Sequence, residues 1–333
     1  MEDRVWSLLR LFRNSTYADR WVRDHKSLQD EHFERITNGI LQAEEYFRAA
    51  SYISLATSPV LLYYGMLHLA DVVIAANGKQ QPTPHHGLKR VREGSSDPVD
   101  HLQCRVMNNG VFASFNNLVY RDVSPVRNPL GKEGTIFPAS VAVALEYPQR
   151  EAILGKTVHF DDFIGSIPDL SQHCAHSKRV HCLTVPLHDI QLESTQGKHT
   201  LSLALSRESK SFVEEYLTTT LGMEELTEGP DLVVFRLVSG GDSVSRPHLR
   251  SPLKGRPHIV GGLKWQISEA ATMLLLMFIF GDLARYQSNL WMKFVSQSSE
   301  ENEIVNEFVN VAAVKFPYLV LTQLRRQLLL FAD

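Results

Sequence analysis

The sequence predicts a mostly helical α+β protein, in which N- and C-terminal helices form one bundle and a small antiparallel β unit is inserted between them. Apolar residues recur every three or four positions in the first and last thirds of the chain, which is typical of helices. In part of the middle third they recur every second position, which is typical of strands. With 333 residues, 44% of them hydrophobic, the chain is long enough to bury a sizeable core.

Two long helices are predicted in the first 80 residues. From Phe33 onward, apolar side chains follow steps of three and four, at Ile36, Ile40, Ala43 and Phe47. Ser58 and Pro59 supply an N-cap and a first-turn proline for a second helix, which ends at Gly78. Because residues 61–70 are apolar nearly all round, we expect this helix at the centre of the bundle.

Residues 78–150 contain frequent Gly, Pro and Asn, which predicts a long irregular connection packed on the bundle. We therefore assign residues 1–150 to an N-terminal helical region. The α+β insertion is placed at 151–240, with its regular elements in about 178–240. Within it we expect a hairpin around Gln196-Gly197, a short helix over residues 210–217 and a further strand over residues 232–238.

A linker rich in Gly, Ser and Pro is predicted at 241–262, followed by C-terminal helices over 263–333 that pack on the N-terminal helices. The first of these helices is predicted at residues 267–295. Ser298 and Glu301 indicate a capping box for the next helix. Pro317 is expected either to start or to kink a last segment, which ends in the apolar residues 328–331.

The composition narrows the class of protein. A balance of 34 Lys and Arg against 37 Asp and Glu argues against a protein that coats nucleic acid by bulk charge. Three cysteines are too few for a disulfide framework and favour a reducing, intracellular setting. The most apolar run, residues 270–280, is shorter than the roughly 20 residues that a transmembrane helix needs. We therefore expect a cytoplasmic protein with no membrane partner.

Four runs of sequence carry a family resemblance. They are residues 58–70 (SPVLLYYGMLHLA), 86–88 (HGL), 160–170 (FDDFIGSIPDL) and 278–286 (FIFGDLARY) with Trp291. Together they resemble the YaaC-like family of bacterial proteins over nearly the whole chain. The resemblance implies a bacterial cytoplasmic protein and no particular chemistry. A more distant, fold-level likeness links the apolar helix pairs to HEPN helical bundles, which include ribonucleases.

The end of the helix over residues 267–295 supplies candidate ligand-binding residues. Arg285, Tyr286 and Trp291 are predicted to edge a pocket for an anionic or planar ligand. Candidates for the opposite wall are Tyr63, Tyr64 and His86. Two alternatives stay open for Arg285: it pairs with Asp282 on the helix surface, or it is buried in a polar network. For the two tyrosines the alternative is ordinary aromatic packing in the core.

The basic run His85-His86-Gly87-Leu88-Lys89-Arg90-Val91-Arg92 either holds a phosphate or forms an exposed turn. A second basic group, in the predicted linker, is either a contact for a nucleic acid backbone or a solvated connector: Arg246, Arg250, Lys254 and Arg256.

Two further patterns are candidate chemical sites. Arg20 and His25 have the spacing of the HEPN ribonuclease motif, although chance produces such matches readily. The run from His173 to Cys182 contains five histidines and cysteines, but their spacing does not match common zinc frameworks. We therefore predict neither a metal nor a cofactor, and we assign no catalytic residues.

Two functions follow from these observations as hypotheses. The first is a non-catalytic binding or regulatory protein that acts through a protein, nucleotide or RNA partner, or as a homo-oligomer. The second is a metal-independent ribonuclease of the HEPN type.

Overall fold

The computed structural model describes residues 2–22, 28–82, 85–91, 94–119, 121–127, 140–146, 150–195, 198–228, 231–240 and 248–325. The α-helices of these residues are α1 (Glu2–Leu11), α2 (Ser15–Val22), α3 (Asp30–Ala50), α4 (Ser58–Ala76), α5 (Val111–Leu118), α6 (Ser171–Cys174), α7 (Lys210–Glu215), α8 (Glu269–Tyr286), α9 (Ser288–Ser296) and α10 (Glu300–Arg325).

The strands are β1 (Leu88–Arg90), β2 (Gln103–Val106), β3 (Arg121–Arg127), β4 (Ser140–Glu146), β5 (Thr157–His159), β6 (Thr184–Thr195), β7 (Lys198–Ser206), β8 (Glu224–Glu228), β9 (Leu232–Gly240), β10 (His248–Arg250) and β11 (His258–Val260). The predicted fold class, a mostly helical α+β protein with an inserted antiparallel β unit, is confirmed.

The larger core joins helices from both ends of the chain. Helix α4 is buried along most of its length and contacts α3, α5, α8 and α10, so it occupies the central position expected from its apolar sequence. Helices α8 and α10 contribute their own buried faces to the same core. N- and C-terminal helices therefore share one hydrophobic cluster.

Glycines allow three of these helices to pack closely. A Cβ on Gly39 of α3 would lie 2.6 Å from Val72 of α4, and one on Gly65 of α4 would lie 2.6 Å from the ring of Phe47. A Cβ on Gly281 of α8 would lie 3.0 Å from the carbonyl oxygen of Pro59 at the start of α4. The α3–α4–α8 packing therefore depends on the absence of side chains at these positions.

The strands form two sheets. Strands β1, β2 and β5 make a three-stranded antiparallel sheet whose buried side chains belong to the larger core. The second sheet has the order β10-β11-β6-β7-β9-β8, and β3 pairs with β4 and, at one residue, with β6. Side chains of β6, β7 and β9, together with α7, enclose a smaller core.

The predicted hairpin corresponds to β6 and β7, whose register pairs Leu192 with Leu201. Leu201, Leu203 and Leu205 are buried as their alternation predicts, while the turn at 196–197 lies outside the described residues. The short helix expected over residues 210–217 is α7, followed by a π-helical turn, Tyr216–Thr220.

The predicted connections contain more structure than their composition suggests. Strands β10 and β11 lie within 241–262, where a plain linker is predicted, and both join the larger sheet. Each has only three residues, so neither is long enough to show an alternating pattern. Strands β3 and β4 precede residue 150 and also join this sheet, whereas buried residues of 153–180 belong to the larger core. The division of the chain into domains stays a prediction.

The C-terminal helices differ from the prediction at two boundaries. The helix predicted over 267–295 is two helices, because α8 ends at Tyr286 and α9 begins at Ser288. Helix α10 is capped by Ser299, whose Oγ accepts from the Asn302 N–H at 3.2 Å, and not by Ser298. Pro317 lies inside α10 and starts no new segment, because packing in the larger core offsets the lost hydrogen bond. Residues 328–331 lie outside the described residues.

Helices α4 and α10 are long and apolar enough to span a membrane, but two thirds of each apolar window is buried inside the fold. Core helices of globular proteins pass the same test of length and composition, so the expected cytoplasmic location stays a prediction.

A buried ionic cluster ties α10 to the start of α8. The Lys315 Nζ lies 2.6 Å from Asp169 Oδ2 and 2.7 Å from Glu269 Oε1, and the Lys315 side chain is completely buried. Burial lowers the pKa of Lys315, but Glu269 and Asp169 raise it by more, so that the amine stays charged.

Arg250 of β10 extends this polar interior toward the larger sheet. Its guanidinium donates to the Ser166 Oγ at 2.6 Å and to the Ile267 carbonyl oxygen at 2.9 Å. The two cations balance the two carboxylates, so the interior carries little net charge.

We expect Lys315→Ala to lower the free energy of unfolding by about 3–5 kcal/mol, because Asp169 and Glu269 would be left buried without their counter-ion. Urea denaturation, monitored by circular dichroism, measures this loss of stability. Lys254→Ala is the control, since Lys254 is exposed, and should change stability by less than about 0.5 kcal/mol. Equal stability of the two variants would show that the cluster does not stabilise the fold.

Candidate functional site

A cavity of about 350 Å³ opens between the start of α4, strand β1 and the end of α8. Five of the six predicted ligand-binding residues line it: Tyr63, Tyr64, His86, Arg285 and Tyr286. The other lining residues are Val60, Leu88, Lys89, Arg90, Phe278, Gly281 and Asp282. The structure therefore brings together residues that lie about 220 positions apart in the sequence.

The α4–α8 crossing positions the two helical walls. Gly281 lies against Pro59 and Tyr63, where its missing side chain lets the helices approach. One turn further along α8, Arg285 then reaches the Tyr64 hydroxyl, to which its Nη1 donates. The crossing thus sets the distance between the α4 tyrosines and the basic end of α8.

The third wall is a loop fixed by backbone hydrogen bonds. The first N–H groups of α5, those of Val111 and Phe112, donate to the carbonyl oxygens of His85 and His86 at 3.1 and 3.0 Å. Gly87 has a φ of 77°, and a Cβ there would lie 2.9 Å from the Asn109 carbonyl oxygen. Glycine is required at this turn, which directs His86 toward α4.

His86 is held by Tyr63. The Tyr63 hydroxyl lies 2.8 Å from His86 Nδ1. Burial, reinforced by His85, lowers the pKa of His86, and burial raises the pKa of Tyr63 well above its ordinary value. Near pH 7 both groups are therefore neutral, and when the phenol donates to Nδ1 the imidazole carries its proton on Nε2.

Two guanidinium groups share one aromatic ring at the cavity. The Arg90 Cζ lies 5.0 Å and the Arg285 Cζ 4.8 Å from the centre of the Tyr286 ring. Arg285 also lies 5.5 Å from the centre of the Tyr64 ring. These contacts are cation–π interactions, and they place two positive charges against the same ring.

Asp282 is the acidic group among the lining residues. Its Oδ2 lies 3.6 Å from Arg90 Nε, a loose ion pair beyond ordinary hydrogen-bond length. Burial raises the pKa of Asp282, while Arg90 opposes the shift. The alternative of a surface pair between Asp282 and Arg285 is therefore not what the structure contains: among the described residues, Asp282 pairs with Arg90, and Arg285 contacts tyrosines.

Trp291, the sixth predicted residue, does not line the cavity. Its side chain is 1% exposed and stacks on Phe280 and Phe294. Its indole Nε1 donates to the Ala56 carbonyl oxygen at 2.9 Å. Trp291 belongs to the separate helix α9, where it packs against the loop before α4 and has a structural role.

The remaining sequence patterns lie partly outside the described residues. The Arg20 side chain and His25 lie outside the described residues, as do Arg92 and Arg246. Arg250 is buried, and Arg256 contacts His188. Within the part of the chain that the structure describes, no group of three His, Cys, Asp or Glu residues is arranged to hold a metal ion, including the run from His173 to Cys182.

From the sequence, Asp282 is predicted only as a partner of Arg285, and Arg90 only as part of a basic run. Their joint placement arises because β1 contacts α8. Only this long-range contact shows that the two residues belong to one site.

A family model describing YaaC-like proteins matches residues 7–324. The chain belongs to the YaaC-like family. No curated protein and no solved structure matches it. In this YaaC-like protein, ten of the twelve residues that line the cavity come from the runs that carry the family resemblance, and the exceptions are Lys89 and Arg90.

We expect Arg285→Ala to change the free energy of unfolding by less than about 1 kcal/mol, because the Arg285 side chain is exposed and its contacts are screened by water. Thermal melting monitored by circular dichroism measures this change. Arg250→Ala is the matched comparison: its guanidinium is 1% exposed and its loss should destabilise by about 3–5 kcal/mol. A large loss of stability in Arg285→Ala would place Arg285 in the structural interior.

Proposed function

We propose that this protein binds a small planar anion, of the nucleotide class, in the cavity between α4, β1 and α8. It acts as a binding or regulatory protein of the bacterial cytoplasm. The observation that carries the proposal is the pair of guanidinium groups on the Tyr286 ring, inside a cavity walled by further aromatic rings.

The charges of the cavity favour an anion. Lys89, Arg90 and Arg285 line it together with a single carboxylate, that of Asp282. Three cationic side chains that line one cavity attract an anion. Guanidinium donors match the geometry of phosphate oxygens especially well.

The walls of the cavity favour a flat ring. Tyr63, Tyr64 and Phe278 supply aromatic faces or edges. Nucleobases stack on such side chains with a favourable free energy of about 1–3 kcal/mol per base. A nucleotide combines the ring and the anion in one molecule, and the cavity volume falls within the range of small-molecule sites.

Isothermal titration calorimetry with AMP, GMP, CMP and UMP tests the proposal. We expect saturable binding of at least one of them by the wild-type protein. Arg285→Ala should weaken that binding by about tenfold or more, since a charge-assisted hydrogen bond contributes about 1.5–3 kcal/mol. Arg256→Ala is the control and should bind as the wild type does, because Arg256 is an exposed arginine in the connection between β10 and β11 and does not line the cavity.

Two results would contradict the proposal. One is the absence of saturable heat with every nucleotide at millimolar concentration. The other is binding that Arg285→Ala and Arg256→Ala leave equally strong, which would place the ligand elsewhere on the protein.

A further inference from the structure

We propose that Asp282 selects the base of the bound nucleotide and that the preferred base is guanine. This inference rests on the proposed function, because it names the ligand of the same cavity. It assigns the cavity two parts: Arg90 and Arg285 bind the phosphate, and the Asp282 carboxylate binds the edge of the base.

Asp282 is well placed to accept hydrogen bonds from a ligand. It lines the cavity, and its side chain is 12% exposed. Its Oδ2 is 3.6 Å from Arg90 Nε, too far for an ordinary hydrogen bond, and among the described residues its Oδ1 has no hydrogen-bond donor. A largely buried carboxylate that accepts no close hydrogen bond costs free energy unless a donor group reaches it.

A carboxylate selects among bases because it only accepts hydrogen bonds. The Watson–Crick edge of guanine places two donors side by side, its N1–H and its 2-amino group, so both carboxylate oxygens are engaged. Adenine and cytosine each place a ring-nitrogen acceptor beside the amino group, and uracil flanks its one N–H with two carbonyl oxygens. These acceptors would face the negative charge of Asp282, so guanine fits best.

The spacing along α8 agrees with this division of the cavity. Asp282 and Arg285 are three residues apart and therefore project from the same side of the helix, about one turn from each other. The longer side chain of Arg285 extends to the Tyr64 and Tyr286 rings. The Tyr63, Phe278 and His86 rings pack together beside Asp282, where a base would stack.

A competing explanation is that Asp282 only positions Arg90 for the phosphate. In that case the loss of its charge would weaken every phosphate ligand equally, whatever its base. Ribose 5-phosphate, which has the phosphate and no base, separates the two roles.

The test is calorimetric titration of the wild-type protein, Asp282→Asn and the control Asp189→Asn with GMP, IMP, AMP and ribose 5-phosphate, at about pH 8 so that carboxylates are ionised. Wild type should prefer GMP to IMP, which lacks the 2-amino group, by about tenfold, and to AMP by more. Asp282→Asn should lose about tenfold or more in affinity for GMP. It should bind AMP at least as well as the wild type does, because an amide both donates and accepts, and it should leave ribose 5-phosphate unchanged.

Several results would overturn the inference. If wild type binds GMP, IMP and AMP equally, Asp282 selects no base, although the proposed function stands. If Asp282→Asn weakens all four ligands equally, Asp282 acts through Arg90. If wild type binds none of the four, both the inference and the proposed function fail. Asp189→Asn, on β6 of the larger sheet, should match the wild type throughout.

Discussion

The close crossing of α4 and α8 at Gly281 is the constraint on which the candidate site depends. A Cβ at Gly281 would lie 3.0 Å from the Pro59 carbonyl oxygen and 3.3 Å from the Tyr63 Cβ, closer than side chains ordinarily pack. Because the helices meet here, the tyrosines of α4 and the charged end of α8 face one cavity. The loop before β1 completes it by placing His86 against Tyr63.

Buried polar contacts fix the other end of α8. The ion pairs of Lys315 with Asp169 and Glu269 join α10 to the start of α8, and Arg250 joins β10 to the same interior. The start of α8 is thus fixed by buried charges, and its end lies beside the cavity. A rigid helix start with an exposed basic end suits a ligand site, since the scaffold need not reorganise on binding.

Much of this fold follows from local sequence. The continuous apolar run of residues 61–70 predicts the central position of α4, and the alternation of Leu201, Leu203 and Leu205 predicts the hairpin. Contacts between residues that lie far apart in the chain cannot be predicted from local sequence. Lys315 and Asp169 are 146 residues apart, and no local pattern links them. Strands β10 and β11 are too short to show a period, so their segment looks like a linker.

The candidate site, like the fold, can be predicted from the sequence only in part. Five of six expected residues line one cavity because the runs that carry the family resemblance also contain its helical walls. Trp291 is predicted at the cavity because the sequence indicates one continuous helix over 267–295, whereas Trp291 lies in the separate helix α9. The pairing of Asp282 with Arg90 depends on the contact between β1 and α8, whereas helix spacing alone favours Arg285 as the partner.

The most direct test of whether the α4–α8 crossing assembles the site is the pKa of His86. It is measured by NMR titration in the wild-type protein and in Gly281→Val. In the wild type, burial lowers the pKa of His86 below its ordinary value of about 6.5. A valine at 281 should separate the helices and admit water, so that the pKa rises toward that value while the circular dichroism spectrum stays helical. An unchanged His86 titration in the folded variant would contradict the account.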